Sequence, residues 1–240
     1  LHKAIRRQRQ MCIRDSSNPV RARFYEYPRF TYPWHFHSEY EIIYVEKGEG
    51  DCLVGDSIIS YSKGDLILFG SELPHSMQSP PDDGEESDNE EKSELKVRGV
   101  NIQFEKDFMH YSISQYSQFI PIRNLLEDAC RGIKFTITRS GKIIKLLKQI
   151  PSAKGVDQII LLLSLLQMMA TSNHRKYLTT SHYTPSPSIM RNERMEKVIA
   201  YLNKHYTESI GLDEIASYTA MNPTAFCRYF KENTGKTFKE

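Results

Sequence analysis

Apolar and polar positions alternate in short runs from Phe24 to Gln78. Tyr40–Val45, Gly48–Val54, Ser57–Tyr61 and Asp65–Phe69 are rich in Tyr, Ile, Val and Phe, and Gly48, Gly50, Gly55, Gly64 and Gly70 sit at the breaks. Regular short strands punctuated by turn residues predict an all-β sandwich or barrel. Leu95–Phe104 (Val97, Val100, Ile102, Phe104) resumes the pattern and is expected to close the sheet. Between them, Pro80–Glu94 holds Asp82, Asp83, Glu85, Glu86, Asp88, Glu90, Glu91 and Glu94 against Lys92 alone. Such a like-charge block repels itself, so it reads as a solvated loop inserted into the barrel.

After Asp107 the period changes from two to that of a helix. Pro121–Cys130 places Ile122, Leu125, Leu126 and Ala129 on one face. Gly141–Ile150 predicts a second helix ended by Pro151, and Asp157–Ala170 a third. In the third, Ile159, Ile160, Leu162, Leu163, Leu166 and Met169 spread too far round for one stripe, the pattern of a helix that is buried or shared with another subunit. The stretch 173–190, rich in Thr, Ser and Pro, reads as a linker and a domain boundary. Beyond it, Arg194–Tyr206, Leu212–Tyr218 and Thr224–Asn233 predict three helices. Gly211 breaks the first, Asn222 and Pro223 open the last, and Gly235 caps its end.

Composition adds few constraints. The 240 residues carry 32 Lys+Arg against 30 Asp+Glu, so nucleic acid, if bound, must be held by local patches. Cys12, Cys52, Cys130 and Cys227 form no CxxC pair, which argues against a disulfide framework or zinc knuckle and fits a cytoplasmic location. The longest apolar run, Ile159–Ala170, falls short of the ~20 residues of a bilayer span, so no membrane association is expected. Residues 1–16 are basic and lack apolar periodicity. The string Met11-Cys12-Ile13-Arg14-Asp15-Ser16 resembles the translation of a DNA-library adapter, so this segment is expected to be an adapter-derived tail or a disordered arm.

Two helices joined at Thr219–Asn222 suit a helix-turn-helix, with Ala216 small enough for close approach. Phe226 and Phe230 fill the buried side of the second helix, leaving Thr224, Cys227, Arg228 and Lys231 outside it. Ile215-Ala216, the run Met221 to Lys231 and Thr234-Gly235-Lys236-Thr237-Phe238 resemble the first helix-turn-helix of the AraC family of transcription regulators, over roughly the last fifty residues. The resemblance implies that Thr224, Cys227 and Arg228 read bases, that Lys231 lies near phosphate, and that Asn222 stands at the start of the recognition helix. It also implies a second helix-turn-helix, which this chain, ending at Glu240, is expected to lack.

Pro33-Trp34-His35-Phe36-His37-Ser38-Glu39-Tyr40-Glu41 has HxHxxxE spacing, and His75 follows Pro74. On one strand His35, His37 and Glu41 would share parity and point into a barrel. Three imidazoles and a carboxylate suit a divalent metal such as Zn, Fe, Mn or Ni. The same groups also suit an organic ligand hydrogen-bonded without metal, the preferred reading, or a structural cluster. Both stretches resemble the paired motifs of the cupin superfamily, a double-stranded β-barrel that AraC-family proteins often carry as their sensor domain.

These readings give an α+β multidomain chain. A cupin jelly roll spans 17–106, a helical dimerisation segment 107–172, a linker 173–190 and a partial helix-turn-helix domain 191–240. The expected function is non-enzymatic: a ligand-responsive regulator binding a small-molecule effector, such as a sugar, at His35, His37, Glu41, His75 and Trp34. The expected partners are double-stranded DNA, a second copy in a homodimer and, in the full-length protein, RNA polymerase. The alternative is a metal-dependent cupin isomerase or dioxygenase.

Overall fold

The computed structural model describes residues 18–80, 97–137, 141–183, 197–198, 201–202, 205, 210–234 and 237–239. The acidic loop from residue 81 onward, the N-terminal segment 1–16 and Gly235 lie outside them.

Among the described residues, nine strands form two antiparallel sheets. The larger has the order β1 (Val20–Tyr27), β7 (Val97–Phe104), β2 (Tyr40–Lys47), β5 (Asp65–Phe69), β8 (Ile133–Thr136), β9 (Arg175–Tyr177). The smaller has the order β4 (Ser57–Tyr61), β3 (Gly50–Val54), β6 (His75–Gln78). Strand alternation sorts side chains into two cores. Ile43, Val45, Ile67 and Phe69 meet Cys52, Val54, Tyr61 and Met77 between the sheets. Ile42, Tyr44, Leu66, Leu68, Val100 and Ile102 face the helices α1 (His110–Gln115), α2 (Ile120–Asp128), α3 (Gly141–Gln149) and α4 (Gly155–Ala170). The centre of the large sheet is thus buried on both faces, which explains why β5 is buried throughout and apolar from Leu66 to Phe69. No pairing among the described residues closes the sheets into a barrel. The architecture is mixed α/β with antiparallel sheets.

The helices expected at 121–130, 141–150, 157–170, 212–218 and 224–233 are present, with ends shifted by at most two residues, while most of the one expected at Arg194–Tyr206 lies outside the described residues. α4 buries Gln158, Leu162, Leu165, Leu166 and Met169, a single stripe, while Val156 and Ile160 stand exposed. Two short strands depart from the sequence reading. β8 interrupts the segment expected to be all helical: Ile133, Phe135 and Ile137 are buried alternately after Gly132, whose φ of 62° suits glycine. β9 lies inside the expected linker 173–190, which therefore does not begin at 173. Residues 175–177 pair with β8, and Leu178 is buried in the inter-sheet core. Composition misled here because the strand is short and polar, held by backbone bonds more than by burial. The remainder of that linker, 184–190, lies outside the described residues.

Val198, Tyr201, Ile215, Ala216 and Phe226 form a third core. It joins α5 (Leu212–Tyr218) to α6 (Pro223–Thr234). The connection is tight: Ala220 takes a left-handed φ of 55°, and the Met221 N–H bonds back to the Ala216 carbonyl at 2.8 Å. Asn222 caps α6, its Oδ1 accepting the Ala225 N–H at 2.8 Å.

Candidate functional site

Glu41 lies on the inter-sheet face of β2, with the parity of Ile43 and Val45, and is 3% exposed. A carboxylate at such a position is stable only if its oxygens are satisfied. His37 Nε2 and His75 Nε2 each approach Oε2 at 2.9 Å, and Asn101 Nδ2 donates to Oε1. His75 starts β6, pinned by ring stacking on Phe69 at 4.1 Å.

His35 reaches the site by a different route from the shared-strand parity expected. β2 begins only at Tyr40. Residues 31–35 instead run antiparallel beside β6, with bridges Thr31–Gln78 and His35–His75. His35 and His75 exchange both backbone hydrogen bonds, at 3.0 and 2.9 Å, and their rings lie 4.4 Å apart. The chain then turns through His37, whose carbonyl accepts the Glu72 N–H at 2.8 Å. The four residues do converge: one ligand atom from each of His35, His37, Glu41 and His75 lies within 4.8 Å of the others.

The ring nitrogens carry a consistent pattern. Nδ1 of His35 bonds the Pro33 carbonyl at 2.8 Å, Nδ1 of His37 the Glu39 carbonyl at 3.1 Å, and Nδ1 of His75 the Leu73 carbonyl at 2.8 Å. A carbonyl only accepts, so each Nδ1 is the protonated nitrogen. In the neutral ring, Nε2 then carries its lone pair toward the cluster, the arrangement of metal-binding histidines.

The charges interlock. Burial alone would raise the Glu41 carboxyl, yet hydrogen bonds and charge from His37 and His75 outweigh it and hold Glu41 well below the usual carboxylate range. Burial pulls His37 down, but Glu41 and then Glu39 raise it above its ordinary value. Partial burial, and then the neighbouring His75, lower His35 to about 4.

The space beside the cluster is small. A cavity of about 20 Å³ lies among Arg23, Tyr25, Tyr32, His35, Glu41 and Asn101. That holds one water or ion and no sugar ring. Trp34, expected to bind ligand, does not line it. Asn101 is the neighbour of the cluster that sequence reading missed. It belongs to no motif and sits 60 positions from its partner Glu41.

Of the expected DNA-contacting residues, Asn222, Thr224, Arg228 and Lys231 are exposed and Cys227 is half-buried. Thr224, Arg228 and Lys231 follow helical spacing along α6, on a side away from buried Phe226. The Asn222 side chain is engaged in its cap.

Comparison with known proteins bears on both regions. Residues 18–88 match the AraC-like ligand binding domain family. Over those residues the chain is similar to an AraC-like ligand-binding domain. This AraC-like chain is 23% identical over 215 residues to the HTH-type transcriptional regulator YbfI of Bacillus subtilis, covering 86% of this chain and 67% of that protein. It is 22% identical over 215 residues to the regulator YdeC of the same organism, covering 85% and 67%. Its relatives are thus transcriptional regulators. Among solved structures, ToxT from Vibrio cholerae with a bound unsaturated fatty acid aligns over 95% of this chain and 78% of that one, at 15% identity and a TM-score of 0.42. A cupin 2 conserved barrel protein from Rhodopseudomonas palustris aligns over 39% and 57%, at 18% identity and a TM-score of 0.28. Among the described residues no helix of this AraC-like chain is long and apolar enough to cross a membrane.

Proposed function

We propose that the chain is a ligand-responsive, DNA-binding transcription regulator. Its sensor is a cupin-like double sheet centred on Glu41, and α5 and α6 are a helix-turn-helix. The observation that carries this reading is the presence in one AraC-like chain of both the buried His/Glu cluster and a capped exposed helix bearing Thr224, Arg228 and Lys231. Arg228 reads a base edge, Thr224 and half-buried Cys227 lie beside it, and Lys231 meets phosphate. The exposed apolar side of α4, Val156 and Ile160, supports a homodimer. A small effector shifts the equilibrium between two arrangements only through a difference in its affinity for them. RNA polymerase is the expected partner of the full-length regulator.

Selection of genomic DNA fragments by the purified chain, followed by fluorescence anisotropy on those enriched, tests this. A shared sequence motif whose binding is lost in Arg228→Ala supports it. Salt-sensitive binding without sequence preference would refute sequence-specific recognition.

A second reading is favoured by the imidazole geometry: the cluster holds a divalent metal. The donor set fits, with three Nε2 lone pairs and a carboxylate oxygen facing one water-sized space, and Nδ1 protons anchored on carbonyls. Ligands at 2.0–2.2 Å from one ion lie roughly 3–4 Å apart, so only a small contraction is needed. Such a metal would supply Lewis acidity or a structural tie. His35, His37, His75 and Glu41 would hold it, with Asn101 orienting Glu41. Stoichiometric metal together with catalytic turnover would favour the cupin enzyme over the sensor. Metal without turnover fits the sensor.

A further inference from the structure

The surface along β1 opens into a cleft of about 600 Å³, inside the usual range for small-molecule sites. β1 pairs only with β7, and no other described strand covers its outer edge. The cleft is walled by residues 20–23 of β1, by Asn101 and Gln103 of β7, and by the turn into α4 with Lys154 and Gln158. Arg21 stands opposite Gln103 and Arg23 opposite Asn101, so these four form a block on one face of the sheet.

The charge there is one-sided. Arg21, Arg23 and Lys154 line the cleft, and no acidic residue does. Elsewhere on the sheets and helices, Arg98, Lys134, Lys148 and Arg175 each pair with a carboxylate. Among the described residues Arg21, Arg23 and Lys154 have no carboxylate within 4.0 Å. Arg21 and Arg23 are half-buried. A guanidinium partly withdrawn from water with no carboxylate at ion-pair distance is set up to receive an oxyanion, which it can bind through two parallel N–H donors. The amides of Asn101 and Gln103 supply donors and acceptors suited to hydroxyl groups. The cleft far exceeds an inorganic anion in size.

We propose that this cleft binds an organic oxyanion of sugar size, a phosphate ester or a carboxylate, with its anionic group among Arg21, Arg23 and Lys154. Arg23 and Asn101 also line the small inner cavity, so the two spaces share a wall. Asn101 donates to Glu41, so an occupant of the cleft bears directly on the His/Glu cluster. The site requires neither DNA binding nor a metal.

The test is calorimetric titration of the whole chain with glucose 6-phosphate, gluconate, glucose and inorganic phosphate, with the side-chain amide NMR signal of Asn101 as a local reporter. At least one charged sugar binds saturably at millimolar concentration, at least about tenfold more tightly than glucose or inorganic phosphate, and shifts the Asn101 signal. Preference for glucose 6-phosphate assigns the ester, and preference for gluconate the carboxylate. Arg21→Gln, Arg23→Gln and Lys154→Gln each weaken binding about tenfold, and Lys142→Gln, outside the cleft, does not. Lys154 is exposed, so its variant separates lost binding from lost folding. The proposal is overturned if neither charged sugar binds, if glucose or inorganic phosphate binds equally well, or if folded Lys154→Gln binds like the parent.

Discussion

Replacing Glu41 should destabilise the sensor in a way that depends on pH, and the structure sets both sign and size. Its carboxylate is 3% exposed and is approached by His37, His75 and Asn101. Glu41→Ala strands buried donors and should cost about 3–5 kcal/mol, the usual penalty for removing one partner of a buried ion pair. Glu41→Gln keeps the shape and loses the charge. While His37 is protonated, the variant forfeits a charge-assisted hydrogen bond, about 1.5–3 kcal/mol. The His37 pKa is raised in the fold, so its contribution is fully present below its unfolded value of 6.5 and is lost as pH rises through the folded value. The Glu41 pKa is depressed, so its contribution is present above 4.5 and lost as pH falls. The deficit of Glu41→Gln is therefore largest between these values. It shrinks on the alkaline side, where the His37 ring can be neutral and a new amide N–H can donate to its Nε2 lone pair. Urea unfolding in chelator-containing buffers across this range measures it. Trp34, the chain's single tryptophan, reports on this region without admixture from the C-terminal helices. A deficit that keeps growing on the alkaline side, or that ignores pH, would refute the assigned protonation.

Other substitutions probe separate links. In the completed regulator, Arg228→Ala should cost about 1–3 kcal/mol of operator discrimination, measured by competition binding; unchanged specificity would move the arginine to a backbone contact. His37→Ala should alter the response to effector while DNA affinity stays intact, and equal loss of both would point to misfolding. Asn222→Ala removes the cap on α6 and should lower stability of the C-terminal unit by about 1 kcal/mol in thermal unfolding. Gly99→Ala sets a methyl carbon 1.9 Å from the Tyr44 carbonyl and 2.6 Å from the Tyr25 hydroxyl; it should destabilise at or beyond the upper end of ~1–3 kcal/mol, and a neutral result would contradict the β2–β7 pairing.

How far the sequence revealed the structure varied with the length of each signal. β2 to β5 announced themselves because Gly48, Gly55 and Gly64 punctuate apolar runs, and all three take positive φ. The His35, His37, Glu41, His75 constellation was legible from spacing, although the reason first given for it does not hold. A short antiparallel run beside β6, and not a single shared strand, carries His35 into place. Asn101 and Arg23 were invisible because their importance arises from register across β1, β7 and β2, which only tertiary pairing creates. β8 and β9 escaped because so few residues give too little periodicity to separate from their surroundings. In α6 the cap, the buried phenylalanine and the exposed arginine were each readable, since helix geometry fixes them locally.

The stretch from Tyr177 to Tyr183 fastens the departing chain at several points. The Arg131 guanidinium lies 4.5 Å over the Tyr177 ring and donates to the Thr179 and Thr180 carbonyls. Thr180 in turn bonds Asp56, at the turn between β3 and β4 of the smaller sheet. The two layers are stapled by the very segment that leads onward to the C-terminal helices. A change in the gap between the layers must then displace that staple, and by reciprocity a pull on the chain beyond Tyr183 must work against the gap.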